Sequence, residues 1–256
     1  MRTGRQRMIE LYGLAFLLGA IGTACGGDAK LAYPVMAPIE QYLGENASAE
    51  IALARTAAPP SISGDASVLV LGKHGYETAE EGKNGFVCLV WRSWAGPGGF
   101  DDPDFWSPKF RAPICFNPAG VRTILPPYIE RTKWVLAGAS KTAMIDRTRA
   151  ALASHQIAMP EPGAMAFMLS REGIKADGQH FRHPHVMIYF AHTDSADWGA
   201  NLHGSPIVAE QAAPEPITTF DVYVPSWSDG TPVFMGPTIE PQSRREILVG
   251  VTGISR

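Results

Sequence analysis

Five of the seven histidines of this chain fall between positions 180 and 203. They are His180, His183, His185, His192 and His203. In a β-strand, residues two apart point to the same side. The triplet His183-Pro184-His185 therefore offers two imidazoles to one pocket, a common way to hold zinc or iron. His180 is the expected third ligand, with Asp194 and His203 as alternatives. His192 falls on the opposite face from His185 and is left out. A metal with an open position would support hydrolysis by a bound water, with Glu161 or Asp194 as the base. The competing expectation is a polar rim, each ring hydrogen-bonded to backbone. No His-Glu-x-x-His motif and no four-ligand zinc spacing is present.

The three cysteines are Cys25, Cys88 and Cys115. How they are used depends on the compartment, and the first 25 residues speak to that. Arg2, Arg5 and Arg7 precede an uncharged run over 11–21, followed by Gly22-Thr23-Ala24-Cys25. A basic head, a short apolar run and a small-residue site read as a secretory signal peptide. The run is well short of the roughly 20 residues that span a bilayer. Two kinds of processing fit. Lipidation of Cys25 would give a lipoprotein, although Gly22 stands where leucine is usual. A plain cut near Ala24 would give a secreted or periplasmic product. Either way Cys88 and Cys115 remain, and an oxidising compartment favours their disulfide. Closing a loop of roughly 28 residues removes about 3 kcal/mol of unfolded-state freedom.

Between 86 and 116 the chain is rich in aromatic residues, among them Trp91, Trp94 and Trp106, with Asp101, Asp102 and Asp104 close by. Flat rings beside acids suit a glycan or peptide, so Trp91, Trp94, Trp106 and Asp101 form a candidate ligand site. The alternative is that these rings pack around the disulfide and stabilise a long loop. Other motifs are weaker. There is no G-x-S-x-G nucleophile elbow. Gly138-Ala-Ser-Lys-Thr142 ends like a phosphate loop but lacks the upstream glycine, so Ser140 reads as a helix cap. Ser205, ahead of Pro206, reads as a turn residue.

The elements that must position these groups follow from hydrophobic period and turn chemistry. One or two short helices, broken near Gly44, are expected over 38–56. Strands are expected over 67–71, 76–80 and 86–91, with turns at 72–75 and Asn84-Gly85, read together as a three-stranded meander. The stretch 95–118 reads as loop. Helix is expected over 121–136, interrupted at Pro126-Pro127, and again from Ser140 to His155. Strands follow at 164–169, 185–190 and 217–224, with a short turn or helix over 195–202. Helices and strands come in blocks, which predicts an α+β fold. It should be a mainly antiparallel sheet with helices packed on one side, loop-rich, with one disulfide. The expected organisation is a signal peptide over 1–25, a tether over 26–35, one domain over 36–231 and a tail over 232–256.

The chain has 256 residues, 45% of them hydrophobic, and a net charge of −3. It has apolar matter for a real core and no basic block after the leader, so nucleic acid is not an expected partner. Ala57-Ala-Pro-Pro-Ser-Ile62, Gly82-Lys-Asn-Gly-Phe-Val-Cys88, Pro113-Ile-Cys115-Phe-Asn-Pro118, Glu161-Pro-Gly-Ala-Met165, His183-Pro-His185 and Trp198-Gly-Ala-Asn201 together resemble a group of uncharacterised bacterial exported proteins. The resemblance covers most of 36–230 and implies export and the cysteine pair. It implies no activity, cofactor or catalytic residue. The sequence thus leads to an exported envelope protein that binds a ligand or an envelope partner, touching the membrane only through an N-terminal lipid. The alternative is a periplasmic metal-dependent hydrolase with zinc or iron on His183 and His185.

Overall fold

The structure is a computed structural model that describes residues 33–95, 99–102, 104–211 and 213–233. The expected leader, Cys25, most of the tether and nearly all of the tail lie outside these residues. Among the described residues the fold is α+β, with five α-helices and eight strands in one sheet. The strand order is β2-β1-β3-β4-β5-β6-β8-β7, and every neighbouring pair is antiparallel except β1 with β3.

The strands β1 (Ser67–Gly72) and β2 (Gly75–Glu80) form a tight hairpin in which Gly72 faces Gly75. Strand β3 (Val87–Trp91) does not continue a meander. It returns to the other side of β1 and runs parallel to it. Asn84-Gly85 is therefore no hairpin turn but part of a crossing loop. Asn84 accepts from the Phe86 N–H at 3.0 Å and donates to the Ile62 carbonyl at 2.7 Å. Gly82 lies so close to the start of β1 that a Cβ there would collide with Ala66 and Ser67 backbone. Only glycine permits that crossing.

Strand β4 (Ala112–Phe116) lies inside the stretch read as loop. It pairs with β3 along its whole length, and Cys88 stands directly opposite Cys115. The disulfide joins these two residues. Pro113 hid this strand, since proline donates no ladder bond. It is tolerated because the ladder from β4 to β5 (Met165–Met168) covers only Cys115 and Phe116. The remaining strands are β6 (His185–Ala191), β7 (Ile207–Gln211) and β8 (Ile217–Tyr223). Nothing in the sequence reading anticipated β7, a five-residue edge strand with no fully buried position.

Helix α1 (Ala47–Arg55) starts on Asn46, whose side chain accepts from the Ala49 N–H at 2.9 Å. Helix α2 (Pro60–Ser63) is a single turn. Helix α3 (Pro118–Thr123) is capped in the same way by Asn117, and α5 (Lys141–Ala153) by Ser140 as expected. Helix α4 (Leu125–Leu136) carries Pro126 and Pro127 in its first turn. The prolines begin this helix rather than interrupt it, because the first N–H groups of a helix need no partner within it.

The main helical layer, α3 to α5, packs on one side of the sheet with Leu89, Trp91, Ile114 and Phe116 in the larger core. On the other side α1 and α2 cover a smaller cluster of Val68, Cys88, Val90 and Cys115. Both faces of β3 and β4 are therefore sealed. Most of the aromatic residues lie away from the disulfide: Trp91 and Phe116 occupy the opposite face of the same two strands, because alternate strand residues point apart, while Phe86 and Phe167 pack on the disulfide side.

Candidate functional site

The residues expected to ligate a metal are not assembled into a site. His185 opens β6 opposite Tyr223, with its ring buried and its Nδ1 at 3.1 Å from the His183 carbonyl oxygen. The His183 and His185 rings both approach Tyr223, at 5.2 and 6.1 Å between centroids, so the shared side expected of them is real. Burial lowers the pKa of both imidazoles, which favours their neutral forms. His180 is apart from them, exposed, with its Nδ1 at 3.2 Å from the Gly173 carbonyl oxygen. Asp194 accepts from the Ala196 N–H within its own turn, and Glu161 pairs with Arg122 at 2.6 Å. Among the described residues no three His, Cys, Asp or Glu side chains gather where they could hold an ion. The His180–His183–His185 trio is thus corrected. A loop carbonyl engages His180, and the start of β6 buries His185.

The aromatic ligand site is corrected too. Trp91 and Trp94 are at most 1% exposed and Trp106 is 8% exposed. The Trp94 Nε1 donates to Thr132 Oγ1 at 3.0 Å, and Trp91 packs on Tyr128 and Phe116. These rings are core, as their size favours. Asp101 is exposed, whereas the three tryptophans are buried. Asp102 accepts from the Asp104 N–H at 2.7 Å, which fixes that turn. Ser205 accepts from the Ile207 N–H, also a turn contact.

A different place carries the unusual chemistry. Between α3–α4 and the β6–β8 face lies a cavity of about 50 Å³, lined by Tyr128, Arg131, Met187, Tyr189, Glu215 and Thr219 among others. It is mostly apolar, yet one wall is an ion pair between Arg131 and Glu215. Their side chains are 6% and 9% exposed. The Arg131 guanidinium also lies over Phe100 and near Tyr128, at 4.5 and 5.7 Å from the ring centroids. Two polar atoms of this pair, Arg131 Nε and Glu215 Oε2, are enclosed without a hydrogen-bond partner.

Next along the same face of β8 is Asp221, opposite Met187 on β6. Its Oδ1 is enclosed and likewise unpartnered. Burial pushes its carboxyl up to about 7. The flanking tyrosines Tyr128 and Tyr189 are raised as well, by burial first and with a contribution from the Asp221 charge. Three enclosed, unpaired polar atoms on α4, in the turn before β8 and on β8 are costly, about 1–3 kcal/mol each. Such groups in a folded protein call for a function.

The sequence reading missed all three residues. Arg131 sits in the charged run Glu130-Arg-Thr-Lys133, which looks like a solvated helix face. Glu215 follows Pro214 in a turn. Asp221 alone left a trace, as an acid set between Phe220 and Val222 inside a β-branched run.

Among the described residues no helix is long and apolar enough to cross a membrane. No family model, no curated protein and no solved structure matches the chain.

Proposed function

We propose that this protein is an exported, disulfide-stabilised envelope protein that works by binding a small ligand rather than by catalysis. Its ligand would sit in the cavity between α4 and the β6–β8 face. The observation that carries this reading is the enclosed Arg131–Glu215 ion pair among the residues that line the cavity. A buried ion pair is poor value as pure stabilisation, so its retention beside a cavity favours recognition. The Cys88–Cys115 disulfide supports an oxidising compartment. The signal-like leader and the resemblance to exported bacterial proteins support the same placement. The mostly apolar cavity lining with a few convergent polar groups is the usual build of a small-ligand site.

Two measurements test this. Fractionation of cells expressing the tagged chain should place a shortened product outside the cytoplasm, and thiol titration of the denatured, unreduced protein should find Cys88 and Cys115 blocked. An uncut cytosolic product with both thiols free ends the export reading. In a thermal-shift assay, a small-molecule extract of the envelope fraction should raise the melting temperature of the wild type, as any ligand of the folded state must. It should not do so for Arg131→Met. Equal shifts in both, or none in either, end the binding reading.

A further inference from the structure

The side of the sheet opposite the cavity has an unexpected composition. Where one face of an antiparallel sheet meets water, its outward residues are normally polar. The pairing of β5 with β6 puts Val186, Ile188 and Phe190 on that side together with Met165 and Phe167. Val222 of β8 and Ile207 of β7 carry the same surface to the edge of the sheet. All seven side chains belong to partly buried residues. Helix α1 packs on β1, β3 and β4 at one end of this side. At the other end the exposed Trp198 lies on Phe190 and Phe220, at 4.8 and 5.0 Å between ring centroids. Between these two covers the described residues leave a contiguous apolar strip partly open. Scattered apolar residues on a surface need no explanation, but a contiguous strip does.

Size, reach and charge choose between its possible occupants. The strip measures about 24 Å along the seven residues of β6 and about 19 Å across four strands, or under about 500 Å². Two copies meeting there would fall short of the roughly 800 Å² per partner of a stable interface. A short apolar segment matches the strip better. The chain supplies one in Ile247-Leu248-Val249-Gly250-Val251, which lies outside the described residues. The last described residue, Val233, donates its N–H to the Pro225 carbonyl at 2.8 Å, just past the end of β8. From there an extended chain can carry Ile247 as far as about 46 Å, well beyond the length of β6. Arg244 and Arg245 precede the apolar run. The exposed Asp194 and Asp197 stand in the same turn as Trp198, at the border of the strip.

We propose that residues 247–251 of the same chain pack across Met165, Val186 and Ile188 and close this side of the sheet, with Arg244 and Arg245 beside Asp194 and Asp197. The C-terminal segment is then an intramolecular cover for the half of the sheet that α1 and α2 leave open. This stands or falls apart from the ligand-binding reading, because the cavity lies against Met187 and Tyr189 on the opposite side of β6.

The test is photocrosslinking in the full chain as the cell produces it, with Leu248→p-benzoylphenylalanine, followed by mass spectrometry of the monomer. Crosslinks to peptides covering β5 or β6 are expected. Crosslinks to other parts of the chain, or none at all, overturn the proposal. Crosslinks that join two chains give the strip to a second copy and overturn it as well. A second measurement needs no crosslinker. Leu248→Asp with Val249→Asp should raise the fluorescence of an added anilinonaphthalene dye several-fold, because the strip is then bare. These two changes lie outside the described fold, so a cooperative melt should be retained. Adding Val186→Thr and Ile188→Thr should remove most of that rise, which ties the dye to the strip. No rise in the first variant overturns the proposal, and so does a rise that persists in full in the second.

Discussion

Among the described residues two arginines are buried with a glutamate partner, and they are satisfied to different degrees. Arg92, just after β3, donates from Nε to the Tyr42 carbonyl at 2.6 Å, from Nη1 to the Val90 carbonyl at 2.5 Å and from Nη2 to Glu50 at 2.6 Å. Arg131, against the β6–β8 face, meets Glu215 but leaves its Nε and the second glutamate oxygen unpaired. The first pair ties α1 to the end of β3 and is complete in itself. The second borders a cavity and is incomplete. Their surroundings match that contrast. Strand β4 is buried at every position and β3 at all but one, whereas β6 alternates between buried and partly exposed residues. Near the half of the sheet holding the disulfide the enclosed atoms without a partner are neutral ones, Trp91 Nε1 and Ser93 Oγ, whereas in the half holding Asp221 they include atoms of the ionisable groups of Arg131, Glu215 and Asp221.

Single substitutions should separate the two halves. The largest effect is expected for Arg92→Met, which leaves Glu50 as an uncompensated buried charge. It should cost about 3–5 kcal/mol in urea unfolding. Arg131→Met should cost clearly less, because part of its hydrogen bonding is already missing. Equal losses would erase the distinction. Removing the disulfide with Cys88→Ala and Cys115→Ala should lower stability by about 3 kcal/mol, and reduction of the wild type should do the same.

Asp221→Asn should act in the opposite direction and depend on pH. The folded carboxyl titrates near 7 and the unfolded one near 3.8. Between those values the folded state holds a proton that the unfolded state has lost, so Asp221 makes stability fall as pH rises through that window. Three units correspond to a few kcal/mol. Asn should therefore gain a few kcal/mol over the wild type at pH 8 and nothing below pH 4 in unfolding curves. A constant difference across the range would show that Asp221 is ordinary. The smallest effect is expected at Arg122→Ala. This surface pair with Glu161 should leave the melting temperature within experimental scatter.

Much of the fold could be read from local pattern. The hairpin at Gly72–Gly75, the cap at Ser140 and strands β5, β6 and β8 all follow from period and turn chemistry. The failures share a cause. Strand β4 was masked by Pro113, and β7 by weak burial at an edge. The parallel placement of β1 and β3 has no local signature, because Asn84-Gly85 serves a crossing loop as readily as a hairpin. The candidate site was the least legible part. Histidines close in sequence suggested a centre, yet one bonds a loop carbonyl and another is buried at the start of a strand. The residues that do meet are Arg131 and Glu215, from a helix and a turn 84 positions apart.

By itself the sequence determined the α+β class, the pairing of Cys88 with Cys115 and most element positions, because these depend on periodicity, turn residues and a count of cysteines. Tertiary structure alone decided which tryptophans were core and where a cavity formed. It also decided which carboxyl lost its water. Burial and partner geometry belong to the surroundings of a residue, and distant segments of the chain supply those surroundings only when they fold together.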